Sequence, residues 1–234
     1  MGMNVRKNFK GESNFERPAP LEAGTYPAAP VQLIGLGLQA QRPFQGQEKA
    51  PKEELYITYE LADEFLLDED GNEDESKPRW ISENFPLNNL DSDRAKSTQR
   101  YFALDPTEEH GGDFTKLLGI PCLLSLTHTP SKKDPSVVYN NVHSVQPMRS
   151  KDAKKYTGLV NEPKVFVFDE PDLEVFLSLP TWLQDKIKEA LTFPGSELEK
   201  LLGSSSAKSK DEGTDEGDQN EEEEEGDGDD EEGW

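Results

Sequence analysis

Cations and flat aromatic side chains stand close together at several places in this chain of 234 residues. Arg42 and Phe44 are two residues apart. Tyr56 lies in an alternating segment, on the row opposite the apolar one. Lys77, Arg79 and Trp80 fall within four residues. Lys132 and Lys133 precede Tyr139, and Lys154 and Lys155 precede Tyr156. The chemistry open to such sets is non-covalent. Ammonium and guanidinium groups neutralise phosphates, and an aromatic face accepts a stacked base for ~1–3 kcal/mol, whatever the base. Together these twelve residues suggest a track for single-stranded nucleic acid. Plainer roles are open to them as well, such as Trp80 as packing and Lys132–Lys133 as a solvated turn; Lys96 and Arg100, outside this set, read as exposed helix charges.

Covalent chemistry is poorly supported. His110, His128 and His143 lie in separate segments, and there is no HExxH, phosphate-cradling glycine loop or nucleophile elbow. The single cysteine, Cys122, sits in an apolar run (IPCLLSL), which excludes a CxxC zinc site and an internal disulfide and reads as a small buried hydrophobe. The run DEDGNEDE contains part of a calcium-loop pattern, but Gly71 would demand a first ligand at Leu66. The expectation is a protein with no catalytic residues, no metal and no cofactor.

Charge is unevenly spread. The chain holds 48 acidic and 25 basic residues, a net charge of -23. Fifteen of the 24 residues from Asp211 to Trp234 are Asp or Glu, and none is basic. Such a run has too little apolar surface to offset the entropy of ordering, so a solvated, disordered tail is expected over 203–234. Its spaced negative charges have the character of single-stranded nucleic acid. Asp229, Asp230, Glu231, Glu232 and the terminal Trp234 form a handle for a partner's pocket. The run 63–75 carries eight more acids, which leaves the rest of the chain nearly neutral and able to present a basic surface.

The elements that would position the candidates are mostly strands. Residues 24–41 read as a long first strand, with Gly35 and Gly37 marking a bulge or coil. Phe44 to Pro51 reads as a turn-rich connection. Glu54 to Phe65 alternates, with Leu55, Ile57, Tyr59 and Leu61 on one face. Asp70–Gly71 is the turn of a hairpin, and 77–87 returns as a third strand. Ser92 or Asp91 can cap a helix. A short helix over 113–118 stops at Gly119. Residues 120–129 and 137–148 are a fourth and fifth strand. Three strands, a helical insertion and two more strands form the element order of a five-stranded OB-fold-like barrel. The fold class is therefore mainly β: a flexible arm over 1–22, a barrel over 23–160, and a helical appendage over 161–202 packed on it. In that appendage Trp182, Leu183, Ile187 and Leu191 form an apolar helix side. Ser196 with Glu199 opens a short helix ending at Gly203.

The blocks AGTYPAAPVQLIGLGLQ, PFQGQEKAPKEELYITYEL, KPRWIS and RYFALDP, with the acidic end closed by Trp234, carry a resemblance. The chain resembles the replicative single-stranded-DNA-binding proteins of tailed bacteriophages, across most of residues 20–202 and separately in the tail. That family commonly ends in Phe, where this chain has Trp234. The resemblance implies an OB fold, sequence-independent binding of single-stranded DNA, no cofactor, and roles in replication, recombination and repair within the infected host's cytoplasm. It also implies that the tail competes with DNA and meets replication proteins: polymerase, helicase or primase. A homo-oligomer stays open, and because no segment approaches the ~20 apolar residues needed to span a bilayer, no membrane partner is expected.

Three rival readings follow from the same residues. A strand-annealing recombination protein would also form duplexes and rings. An acidic DNA mimic would bind basic proteins instead of DNA. A nuclease would hold metal at Asp68, Asp70 and Asp74.

Overall fold

A computed structural model describes residues 18–131, Asp134 and residues 137–211. Strands β1 (Gly24–Phe44) and β2 (Gln47–Leu67) form one long hairpin joined by only Gln45 and Gly46. Both joining residues have positive φ, 52° and 78°, which is what a two-residue turn matched to strand twist requires. The expected loop over 44–51 is therefore strand. Its polar composition reflects exposure on both faces, not irregular backbone.

The centre of β1 reads as a nearly unbroken apolar run because both of its faces are covered. Leu33 points into the barrel core, and Ile34 and Leu36 into a second core outside it. The strand changes register between Gly35 and Leu38, at the glycine pair. Gly37 has φ +71°, and a Cβ there would lie 2.9 Å from Ala190 Cβ and from a ring carbon of Phe168. Glycine is thus required twice over, by backbone conformation and by close approach.

Strands β3 (Glu73–Pro86), β4 (Cys122–Pro130) and β5 (Val138–Pro147) complete the sheet in the order β3-β2-β1-β4-β5. β1 serves both halves, pairing β4 through Gly24–Ala28 and β2 from Ala28 onward. The β2–β3 hairpin turns at Gly71, with φ +82°. The Asp68 side chain accepts there from the backbone N–H of Asp70 and Asn72. Helix α1 (Lys96–Leu104) lies between β3 and β4, as in an OB-fold barrel. It starts later than the candidate caps at Asp91 and Ser92. Those residues are in turns, and the N-cap is Ala95, with no side-chain cap bond. The second short helix is a 3-10 turn over Phe114–Leu117, capped by Asp113.

β3 and β5 meet at the barrel seam, and α1 fills it. Arg100 was expected on an exposed face but is only 3% exposed. Its Nε donates to Glu83 of β3 at 2.7 Å, and its Nη2 donates to the His143 carbonyl of β5 at 3.4 Å. Glu83 also accepts from Lys96 at 2.7 Å and from the Tyr59 hydroxyl at 3.3 Å. Burial first, and the Glu83 charge second, holds the Tyr59 phenol well above its ordinary pKa. Cys122 is fully buried in the same core, and desolvation pushes its thiol up to about 12.

After β5 come α2 (Ser150–Ala153) and a short strand, β6 (Lys164–Phe166), parallel to β1 at Gln32–Ile34. Helices α3 (Leu173–Leu177), α4 (Thr181–Lys188) and α5 (Glu197–Asp211) then cover the outer face of β1. Phe166, Phe176, Leu183, Ile187 and Leu198 form the second core with Ile34 and Leu36. On α4, Leu183 and Ile187 point inward as expected, whereas Trp182 is more than half exposed, as is Leu191, which lies past the end of the helix. Ser196 Oγ accepts from Glu199 N at 3.2 Å, and the Glu199 carboxyl turns to Gly195 N at 2.6 Å. Gly203 does not end α5. It keeps a right-handed φ, and the helix continues to Asp211.

Candidate nucleic-acid interface

On the outer face of the barrel, β2 and β3 pair Glu60 with Trp80. Glu60 is only 2% exposed because the chain after α2 folds over it. Its carboxyl accepts from Val160 N at 2.6 Å, Asn161 N at 3.2 Å and Asn161 Nδ2 at 2.7 Å. The Trp80 indole N–H donates to it at 3.3 Å, which leaves the ring 41% exposed and oriented. A buried acceptor with four donors is satisfied, so this carboxyl fastens the segment after α2 to the sheet.

Two residues along the same face of β2, Ala62 joins Pro27 of β1 and Leu123 of β4 in the floor of an open cleft of about 660 Å³. Met148, Arg149, Lys155 and Tyr156 form its wall. Desolvation, and then the nearby Glu60 charge, pushes the Tyr156 phenol up to about 12. Lys154 and Lys151 are exposed on the same short helical segment. Arg149 pairs with Asp152 at 2.5 Å, leaving a net positive rim. Apolar floor, half-buried aromatic wall and cationic rim are the features that a base attached to a phosphate requires.

The remaining candidates divide by position. Lys77 and Arg79 share the barrel end next to Trp80, yet both are engaged. Lys77 pairs with Asp74 at 2.8 Å, and Arg79 Nη2 donates to the Ala19 carbonyl at 2.7 Å. The Lys77 and Ser76 bonds hold the Asp74 carboxyl down at about 2. Tyr139 is exposed at the start of β5, opposite Thr129 of β4. Leu21, bonded to Asn140 of β5 at 2.9 Å, ties that hairpin to the segment that receives Arg79.

Tyr56 is elsewhere. Its ring meets Trp182 of α4 edge-on at 5.4 Å between centroids, so it serves the joint with the appendage. Arg42 is exposed close to the tip of the β1–β2 hairpin, and Phe44 ends β1 there. Arg42 is 15 residues beyond Pro27, up to roughly 50 Å along the strand. Lys132 and Lys133, and Asp229, Asp230, Glu231, Glu232 and Trp234, lie outside the described residues.

No protein-family model matches this chain, and no curated protein matches it.

Sequence reasoning missed Arg149 and Met148 in the cleft, and Glu60 beneath it. Arg149 opens the basic stretch RSKDAKKY, and that was the available signal. Glu60 reads as one more outward acid in an alternating strand; only the fold-back of 157–163 buries it. Among the described residues no group of three or more His, Cys, Asp or Glu side chains converges as a metal ion would need. No helix among them is long and apolar enough to cross a membrane.

Proposed function

We propose that this protein binds single-stranded DNA without sequence preference, along the outer barrel face that holds Trp80 and the Arg149–Tyr156 cleft. One observation carries the reading: an exposed, oriented indole lies beside a cleft that joins a neutral aromatic wall to a cationic rim. The OB-fold-like strand order supports it, since such barrels commonly hold oligonucleotides. In this reading bases stack on Trp80 and Tyr156, while Arg149, Lys154 and Lys155 neutralise phosphates. The resemblance to tailed-phage single-strand binders motivates the setting we propose: replication, recombination and repair of phage DNA in the host cytoplasm. The acid-rich sequence after Asp211 would compete for the cationic rim and engage polymerase, helicase or primase.

Intrinsic fluorescence tests the placement. The chain has three tryptophans, Trp80, Trp182 and Trp234. Saturating oligothymidylate is expected to quench the emission, because a stacked base deactivates an excited indole. Trp80→Phe is expected to remove most of that quenching, and Trp182→Phe to leave it in place. Full quenching in Trp80→Phe would move the interface away from β3.

A further inference from the structure

We propose that a groove toward the other end of the β1–β2 ladder holds the chain's own basic N-terminal segment, residues 1–17. The groove measures about 340 Å³. Leu55, Leu87, Phe114 and Phe168 line its apolar part, four carboxylates, Glu53, Glu54, Asp113 and Asp169, also line it, and no Lys, Arg or His does. Partial desolvation, then the Asp169 charge, holds the Glu53 carboxyl above its ordinary range. Like charges over an apolar floor favour a cation carried on, or next to, apolar side chains.

The sequence before Pro18 fits that description. It carries Arg6, Lys7, Lys10 and Arg17 against Glu12 and Glu16, with Phe9 and Phe15 interleaved. The chain's path also fits. Ala19 is held by Arg79, midway along β3, and Leu87, just past the end of that strand, lines the groove. Eight residues separate Arg79 from Leu87, roughly 26 Å of strand. Phe9 lies ten residues before Ala19, enough for about 33 Å of extended chain. The segment therefore reaches its own groove without a second copy. DNA binding plays no part in this inference, and the test contains no DNA.

The full chain, carrying p-benzoylphenylalanine in place of Phe9, is irradiated alone and the crosslinks are mapped by mass spectrometry. The proposal predicts crosslinks within one chain to residues 53–55, 112–115 or 166–169. Their yield is predicted to fall several-fold in high salt and in the double variant Glu53→Gln with Asp169→Asn. Both substituted side chains are exposed, so that variant is expected to fold. Crosslinks elsewhere, crosslinks between chains, or a yield indifferent to the two substitutions would overturn it.

Discussion

Replacing Arg100 with alanine is expected to destabilise the fold by about 3–5 kcal/mol, the usual cost of stripping one partner from a buried ion pair. Arg100 is the group that spans the seam, bonded to Glu83 on β3 and to the His143 carbonyl on β5. Without it, the Glu83 carboxyl is left with Lys96 and the Tyr59 hydroxyl. Lys96 is 43% exposed, so water screens its contribution, and Lys96→Ala should cost at most about 1 kcal/mol. In a domain of this size each kcal/mol moves the melting temperature by about 2–4 °C, so Arg100→Ala should melt roughly 6–20 °C lower. Pairing Arg100→Met with Glu83→Leu should recover much of the loss, because an apolar pair removes the stranded carboxyl along with its partner. Thermal or urea denaturation measures all of these. An Arg100→Ala protein that melts with the unaltered one would show that the seam does not depend on this pair.

The second large effect concerns affinity. Trp80→Ala together with Tyr156→Ala should weaken binding of single-stranded DNA by at least about 30-fold, since each lost stack removes ~1–3 kcal/mol. Trp80 is 41% exposed and Tyr156 half-buried, and neither belongs to the two buried cores, so the double variant should still melt cooperatively. Tyr56→Ala should do the reverse. It takes away the ring against which Trp182 packs, loosening the joint between barrel and appendage while leaving DNA affinity near that of the unaltered protein. Titration of a labelled oligonucleotide with each variant separates the two outcomes. Equal losses at Tyr56 and at Trp80 would count against the outer-face site.

The barrel was legible in the sequence because its strands alternate and their order is local information. Leu55, Ile57, Tyr59 and Leu61 on one row, and a glycine pair in β1, were sufficient to place β2 and the register change. Polarity misled at the hairpin tip, where exposed strand and loop have the same composition. It misled again at Gly203, which only a left-handed φ would have made a stop. Buried charge was not legible either. Glu60 and Arg100 are indistinguishable from solvated residues until the segment after α2 and the barrel seam close over them. For the site, the residue types were informative and their grouping was not. Tyr56 and Trp80 look equivalent in sequence, but α4 covers one and leaves the other open. The set at 151–156 gained its standing only from the apolar floor that Pro27, Ala62 and Leu123 bring from three strands.

The most direct test of the central claim is fluorescence anisotropy of a labelled ~30-nucleotide single strand, beside the same sequence as duplex, across a salt series. Tight, sequence-indifferent binding to the single strand and much weaker binding to the duplex are expected. With three to five phosphates neutralised, log K should fall against log salt with a slope of about -2 to -3.5. Equal affinity for the duplex, or no binding to the single strand at low salt, would contradict it.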